Sequence, residues 1–357
     1  MAGSWINLGQ GAIMRGRKWI GGIRRCGDTW CKQLKNRFGL ISRLHLRLTG
    51  AIFRLKLLSR LQRWILGVGL LLCLLLTLTV RPDGRMLRLL VSGNQALYEN
   101  MELLLNQDPV KVHLIDCGQG DAILIEAAGS YIVIDGGPLD HAEETAAYIQ
   151  GVTDSIDLLI LTHPHDDHVG GALKIMEELS PPLLLTCHDT LGNQLLTSAV
   201  GKAEAMGIQV VPSVRGMILK LGEDITLECL HPEPIKYDNP NNYSGVYRLS
   251  YQGNDFLFLA DLEKDMFAGL YARYDLAAQF VKAGHHGSAT SLDDRLIRET
   301  GPLYLGISCG FRNGFNHPSP GVLDLLAEHA ISYGRTDYDG TIVITGNGKS
   351  IRYKPER

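Results

Sequence analysis

Residues 162–171 read THPHDDHVGG and place three histidines and two aspartates within six positions. His163 and His165 are two residues apart, so in an extended segment their side chains point to one side. Asp167 and His168 follow where the chain turns towards a predicted helix. Imidazole and carboxylate groups together supply the mixed nitrogen and oxygen ligands that suit Zn²⁺, Mn²⁺ or iron. We therefore interpret this segment as a metal-binding loop.

Two aspartates follow apolar runs and are candidates for the same site. Asp261 ends the run FLFLA, where a carboxylate either bridges two metal ions or caps a following helix. The histidine cluster favours the bridging interpretation. Asp135 ends YIVID and precedes two glycines. It is a candidate for orienting a ligand histidine, with a turn-forming Asp-Gly as the alternative.

Three further histidines lie in loops of the C-terminal half. His285 and His286 are adjacent in KAGHHGS, so both cannot face one point from a straight strand. We expect one of the pair to bind a metal ion and the other to contact substrate or act as a general acid. His317 lies in GFNHPSP, where it is either a second candidate proton donor or a structural residue.

Strands and helices must bring these loops together in space. Short apolar runs between Gly and Asp turns predict strands, and longer stretches between them predict helices. The predicted strands cover residues 110–115, 122–126, 131–134, 158–161, 225–230, 246–251, 256–259, 280–282, 304–307 and 341–344. The predicted helices cover about 141–150, 169–179, 193–206, 291–299 and 320–329. Strands and helices mixed in this order predict an α/β fold, an αββα sandwich with helices outside two sheets.

An apolar segment precedes this region. Residues 64–80 read WILGVGLLLCLLLTLTV, seventeen residues without charge, which is the lower edge of a transmembrane helix. A buried core helix is the alternative, and a cleaved signal peptide fits poorly because a long basic region comes first. We expect a basic cytoplasmic or juxtamembrane arm at 1–63, a transmembrane helix at 64–80, a connector at 81–108 and one folded domain at 109–357.

Charge is distributed unevenly about this segment. The formal net charge is −3, but residues 1–63 carry fourteen Lys or Arg against one acidic residue, and the remainder carries twenty-one against thirty-seven. Basic flanks stay in the cytoplasm. We therefore expect a single-pass protein of the cell membrane, with its N-terminus in the cytoplasm and its acidic domain outside. The acidic balance also argues against broad binding of duplex DNA, which relies on basic surface.

Composition excludes several classes of protein. Hydrophobic residues make up 45% and charged residues 20%, which excludes global disorder. The seven cysteines contain no CxxC pair, which argues against a structural zinc knuckle. Their odd number and wide spacing argue against a disulfide scaffold.

The motifs, taken in chain order, resemble those of a known family. Residues 110–353 are similar to the metallo-β-lactamase-like domain of the ComEC competence family, whose full members are DNA-uptake channels. The matching segments are VHLIDCGQGDAILIE, YIVIDGG, THPHDDHVGG, LHP, NNYSGV, ADLE, KAGHHGSATS, NHPSP and GRTDYDGTIVI. The HxHxDH motif is specific for the superfamily, whereas HHGS, NHPSP and RTDxDG are specific for this branch.

The resemblance implies a hydrolase with two divalent metal ions held by one group of side chains. The expected metal ligands are His163, His165, Asp167, His168, Asp261 and His286. The first two bind one ion, the next two bind the other, Asp261 bridges, and His286 rather than His285 completes the second site. Zn²⁺ is the expected metal, with Mn²⁺ as the alternative, and no nucleotide cofactor is expected.

Three departures from the family pattern bear on this expectation. The many-helix channel region of full members does not match any segment, so we expect no pore. Ala260 replaces the Gly that usually precedes the bridging Asp. Many superfamily enzymes have a further His ahead of that Asp, but residues 238–244 contain none, so Asn242, Ser244 or water must stand in.

The expected function is that of a membrane-anchored phosphodiesterase or nuclease related to competence DNA processing. Two ions would activate a water and hold a substrate oxygen, while a histidine protonates the leaving group. The candidate catalytic residues are Asp167, His285 and His317. Two alternatives are a phosphodiesterase for envelope polymers that contain choline or glycerol phosphate, and a non-catalytic domain that binds a partner.

Overall fold

The computed structural model describes residues 5–7, 110–187 and 192–357, whose strands form two sheets of eight. The first sheet contains, in spatial order, β1 (Trp5–Asn7), β8 (Ile218–Lys220), β9 (Ile225–His231), β10 (Val246–Tyr251), β11 (Asn254–Phe258), β12 (Phe280–Lys282), β13 (Tyr304–Ile307) and β14 (Ser332–Arg335). The second contains β16 (Ile351–Pro355), β15 (Ile342–Gly346), β2 (Val110–Leu114), β3 (Ala122–Ala127), β4 (Ser130–Gly136), β5 (Leu158–Leu161), β6 (Leu183–Thr186) and β7 (Gln209–Pro212).

Helices lie between the strands along the chain. They are α1 (Ala142–Gln150), α2 (Asp166–Val169), α3 (Ala172–Leu179), α4 (Gln194–Ala205), α5 (Phe267–Tyr271), α6 (Asp294–Thr300), α7 (Pro320–Glu328) and α8 (Thr336–Asp339). Side chains of α1, α3 and α4 pack on one face of the second sheet. Those of α5, α6 and α7 pack on one face of the first sheet.

The main apolar core lies between the two sheets. Alternate residues of β2, such as Val112 and Leu114, pack there with Leu249 of β10 and Phe258 of β11. The intervening residues of the central strands face the helices, because successive side chains of a strand point to opposite faces. This arrangement is the αββα sandwich that the sequence predicted.

One edge of the sandwich collects the strand ends that carry the candidate site. β4 runs parallel to β5, and β11, β12 and β13 run parallel to one another. Their carboxyl ends therefore lie at the same edge of each sheet. β10 is antiparallel to β11, so its first residues lie at that edge as well. Loops that are far apart in sequence meet here.

The predicted helix at 169–179 is wrong at its start. The chain forms α2, which contains Asp167 and His168, and then α3, with Gly170 and Gly171 between them. A Cβ built on Gly171 would overlap the carbonyl oxygen of Gly136 at the end of β4. The glycine pair lets the chain pass close to the strand end and start a second helix.

The predicted membrane segment lies outside the described residues, as do the connector and all of the basic arm except residues 5–7. The same holds for the topology expected from their charges. Within residues 5–7, 110–187 and 192–357, no helix is long and apolar enough to cross a bilayer.

We expect Gly171→Ala to lower the free energy of unfolding by about 1–3 kcal/mol, the usual cost of forcing extra volume into a packed site. Gly201→Ala is the matched control. Gly201 lies within α4, and a Cβ there would meet no atom within 4 Å. That substitution should raise stability by about 0.5–1 kcal/mol, because alanine loses less entropy than glycine in a helix. Chemical unfolding of the full-length protein measures both, and equal effects would contradict the close approach.

Candidate metal centre

Three histidine rings meet after the end of β5. His165 is extended, and α2 then begins at Asp166. The ring centre of His163 lies 4.7 Å from that of His165 and 4.2 Å from that of His168. His163 and His168 are fully buried, whereas His165 is partly exposed. The motif thus forms one cluster at the edge of the second sheet.

Asp261 reaches this cluster from the first sheet. It follows β11, and its carboxylate oxygens lie 3.7 Å from Nε2 of His163 and 3.3 Å from Nε2 of His168. The residue is 1% exposed. His163, His165 and Asp261 each place one possible ligand atom within 4.8 Å of the others. Two imidazole nitrogens and a carboxylate oxygen have the composition of a metal site.

A second group of possible ligand atoms shares Asp261. It consists of Asp121, His168, Asp261 and His286, again within 4.8 Å of one another. Nε2 of His286 lies 3.6 Å from Asp261 and 3.2 Å from Oδ2 of Asp167, so Asp167 faces the same point. The two groups therefore meet at one buried carboxylate.

Asp135 fixes the orientation of one ring. Its Oδ2 accepts a hydrogen bond from Nδ1 of His168 at 2.8 Å, and its two oxygens also accept from the backbone and hydroxyl of Thr162. Because Nδ1 is bound to Asp135, Nε2 is the ring nitrogen of His168 that faces Asp261. This is the contact expected of a carboxylate that orients a ligand histidine.

Burial and carboxylates set the electrostatics of the cluster. Burial, with the neighbouring His168, holds the pKa of His163 well below its usual value. Burial also opposes charge on His168, but Asp261 and Asp135 outweigh it and raise the pKa of this ring well above the ordinary value. The same balance, with Asp261 foremost, raises the pKa of His286 to about 9. The centre therefore attracts positive charge.

Several buried polar atoms of the cluster have no hydrogen-bond partner. They are Nε2 of His163, Nε2 of His168 and Oδ1 of Asp261. An unsatisfied buried polar atom costs about 1–3 kcal/mol, and more if it is charged. Cations bound by the two groups of ligand atoms would give each of these three atoms a partner. The donor set and its unpaired atoms fit divalent metal ions.

Comparison with known families agrees with this chemistry. Residues 115–305, more than half of the chain, match the sequence profile of the metallo-beta-lactamase superfamily. The chain belongs to the metallo-β-lactamase superfamily. It is a metallo-β-lactamase-fold, metal-dependent hydrolase whose candidate two-metal site is the cluster around Asp261.

Curated relatives of this hydrolase include a protein named as a competence protein, which confirms the predicted resemblance. The chain is 28% identical to ComE operon protein 3 of Bacillus subtilis over 65% of its own length and 32% of that protein. It is 26% identical to Competence protein ComA of Neisseria gonorrhoeae over 66% of its own length and 32% of that protein. The chain spans about a third of the length of these relatives.

Among solved structures, this superfamily member is similar to the metallo-beta-lactamase fold protein YhfI of Bacillus subtilis. The TM-score is 0.47 and the sequence identity is 14%. The similarity covers 67% of this chain and 100% of YhfI.

Residues 238–244, which lack the further histidine of many superfamily enzymes, support the backbone around Asp261. Oγ of Ser244 accepts a hydrogen bond from the Asp261 amide at 3.1 Å, and Oδ1 of Asn242 accepts one from the Glu263 amide at 3.4 Å. The Ser244 carbonyl in turn accepts from Nδ1 of His231 at 2.9 Å. His231 was not among the predicted site residues. Through Ser244 it helps to hold the loop that carries Asp261.

Backbone strain concentrates beside the candidate ligands of this hydrolase. Ala260, which replaces the usual superfamily glycine, has a φ of 46°. A left-handed conformation costs an L-residue about 1–2 kcal/mol, whereas glycine adopts it freely. His285 and His286 have φ values of 48° and 53°. These two consecutive left-handed residues let the adjacent rings approach Asp261 from different directions.

His285 and His317 lie beside the candidate metal centre, and both are partly exposed. Nε2 of His285 is 3.7 Å from Asp261, and its Nδ1 is 3.3 Å from the carboxylate of Glu263. The ring of His317 lies 5.5 Å from that of His285 and 6.4 Å from that of His286. The structure thus brings together all the predicted metal-ligand and catalytic side chains.

Sequence reasoning missed a buried ion pair behind the centre. Nζ of Lys282 donates to Asp121 at 2.7 Å, and both side chains are almost completely buried. The other oxygen of Asp121 lies 3.2 Å from Nδ1 of His286, on the side of the ring that faces away from Asp261. Nδ1 of His286 donates to the Ser308 carbonyl at 3.1 Å, so Ser308 and the nearby Asp121 together hold the ring with its Nε2 towards Asp261. The GQGD sequence after β2 is the signal that could have identified Asp121.

We expect Lys282→Met to lower the free energy of unfolding by about 3–5 kcal/mol, because it leaves Asp121 buried without its cation. Adding Asp121→Asn to the Lys282→Met variant should restore much of the lost free energy of unfolding. Lys111→Met is the matched control, since Lys111 forms an ion pair with Glu126 at 3.0 Å but has a 41% exposed side chain. Its loss should be at most about 1 kcal/mol. Chemical unfolding of the full-length protein measures all three, and comparable losses for the two lysines would contradict this role.

Proposed function

We propose that this hydrolase is a phosphodiesterase that cleaves nucleic-acid strands at two metal ions. The observation that carries the proposal is the shared position of Asp261 between two groups of buried, partly unpaired ligand atoms. In this proposal His163 and His165 would hold one ion, and His168, His286 and Asp167 would hold the other. Asp261 would be a ligand of both.

The composition of the first group favours a phosphate ester as substrate. It contains three side chains, and the residues that would supply a further ligand, Asn242 and Ser244, bind backbone amides instead. Three protein ligands would leave a bound ion open to water or to a substrate oxygen. The anionic oxygens of a phosphodiester suit such open positions.

Two divalent ions, when bound, supply an acidified water and charge stabilisation for an in-line displacement. The protein residues must then position the diester and deliver a proton to the leaving oxygen. His285 is the better proton donor, because the carboxylate of Glu263 faces its Nδ1 while its Nε2 faces the centre. Burial and the neighbouring His285 and His286 lower the pKa of His317. A lowered pKa disfavours the protonated form of His317, which suits it to contact the substrate rather than to supply the proton.

The names of the relatives favour a nucleic-acid substrate over an envelope polymer. One of them, from Neisseria gonorrhoeae, is named Competence protein ComA, and another, from Haemophilus influenzae, is named Recombination protein 2. We further propose that residues 64–80 anchor the chain in the cell membrane. The support for this part is the uncharged segment and the excess of basic residues before it.

We expect the full-length protein to hydrolyse bis-nitrophenyl phosphate with Zn²⁺ or Mn²⁺ and to leave β-lactams untouched. His168→Ala and Asp261→Ala should each lower the rate at least about 100-fold, since both disrupt the metal pair. His329→Ala is the matched control. His329 pairs with Asp294 at 2.7 Å and belongs to neither ligand group, so its removal should leave the rate near that of the wild type.

Rapid β-lactam hydrolysis with inert phosphodiesters would contradict the proposal. Turnover of a choline-phosphate ester alone, with none of the aryl diester or of DNA, would favour the envelope-polymer alternative. Equal rates for wild type and both site variants would place the chemistry elsewhere in the chain.

A further inference from the structure

Large aromatic side chains are exposed next to the candidate metal centre. Phe311 is 59% exposed, Phe315 is 68% exposed and Tyr338 is 60% exposed. Phe311 and Phe315 belong to the loop after β13, and Tyr338 belongs to α8. An isolated exposed apolar residue is ordinary, but a group of aromatic rings beside a site is typical of a binding surface.

Ring contacts connect this group to the centre. The ring of Phe315 stacks at 5.9 Å on that of His317, which in turn lies 5.5 Å from His285. The edge of Phe311 meets Tyr338 at 6.0 Å. Phe315 thus connects the loop to the residues that face the two ligand groups, and Phe311, on the same loop, extends the aromatic surface to Tyr338.

The loop that carries the phenyl rings is held in place by one side chain. Nδ2 of Asn313 donates to the carbonyls of Gly310 and His317 at 2.9 and 2.6 Å. Its Oδ1 accepts from the amides of Phe315 and His317 at 3.2 and 3.0 Å. The Gly310 amide also donates to Gln119 at 2.9 Å. Because these hydrogen bonds fix the loop, its phenyl rings are held exposed and are available to a ligand.

Two arginines accompany the rings. The guanidinium of Arg312 lies 5.1 Å over Phe311, and that of Arg335 lies 4.4 Å over Tyr338. Arg335 is fixed by two bonds to Asp337, at 3.0 and 2.7 Å. Aromatic rings interleaved with guanidinium groups are the composition that stacks on nucleobases.

We propose that this rim, formed by Phe311, Arg312, Phe315, Arg335 and Tyr338, stacks on unpaired bases of a single-stranded polynucleotide. The strand would then lie with a phosphodiester at the metal centre. The inference rests on the proposed phosphodiesterase function and names its substrate as single-stranded. Base pairing and stacking hide the base faces of a duplex, so a duplex cannot use the rim in this way.

The charge of the chain favours the same choice. Residues 64–357 carry twenty-one basic and thirty-seven acidic residues, so they are poorly suited to binding a strand through its phosphates alone. Stacking needs little net positive charge, because every base has an aromatic face. A choline- or glycerol-phosphate polymer has no flat ring to offer this surface.

The test compares binding of two strands by the full-length protein in the presence of a chelator, which prevents cleavage. The probes are a labelled oligothymidylate of about twelve nucleotides, within the usual length of a single-stranded site, and an abasic strand of equal length and charge. We expect the wild type to prefer the strand with bases. Combined Phe311→Leu and Phe315→Leu, which keep apolar volume but remove the rings, should weaken oligothymidylate binding about tenfold or more. Binding of the abasic strand should not change.

Three variants make the result specific. Combined Phe311→Trp and Phe315→Trp should retain the preference for bases, because tryptophan also stacks. Leu303→Ser removes an exposed apolar side chain that precedes β13, at the opposite end of that strand from the site, and should bind as the wild type does. Thermal unfolding of each variant checks that the loop change does not unfold the domain.

Oligothymidylate binding by the leucine variant that equals that of the wild type would overturn the inference, as would equal losses on the two strands. Loss of binding to anionic-lipid vesicles, with strand binding intact, would show that the rim contacts a membrane instead. Hydrolysis by the wild type is measured separately. Base-dependent binding without cleavage of any diester would reject the phosphodiesterase function but support base stacking by the rim. Cleavage of both strands without any preference for bases would support the phosphodiesterase function but reject base stacking by the rim.

Discussion

The arrangement of this domain depends on one buried anion, the carboxylate of Asp261. A charge with 1% exposure is unstable unless nearby groups compensate it. Nitrogens of His163, His168, His285 and His286 lie between 3.3 and 3.7 Å from it. These rings come from loops after β5 and β12, so the anion joins the edges of both sheets. The same arrangement leaves lone pairs directed at common points, where metal ions would bind.

Much of the fold and the centre could be predicted from sequence because the signals are local. The run before His163 is uniformly apolar, so it identifies β5, and the end of this strand places the motif at a sheet edge. The same reasoning located Asp135 and Asp261. The choice between His285 and His286 could not be made from spacing alone. It depends on two left-handed residues that turn His286 inwards, where its Nε2 approaches both Asp167 and Asp261.

The missed features depend on contacts between distant parts of the chain. Lys282 and Asp121 are 161 residues apart, and each has an ordinary local explanation as a polar residue near a turn. The strands at Leu183–Thr186, Gln209–Pro212, Ile218–Lys220, Ser332–Arg335 and Ile351–Pro355 were not predicted. They are short or mostly exposed, so neighbouring strands rather than their own sequence determine their conformation. Exposure of Phe311 and Phe315 likewise follows from the clamp formed by Asn313, which is a property of the folded loop.

Asp261 is shared by the two candidate metal-binding groups. The most direct test of this sharing is elemental analysis of the full-length protein after reconstitution with Zn²⁺ or with Mn²⁺. We predict close to two ions per chain, one for each ligand group, and loss of both in Asp261→Ala. A wild-type content of zero would contradict a metal centre here. A content of one ion that persists in Asp261→Ala would show that this carboxylate does not join two sites.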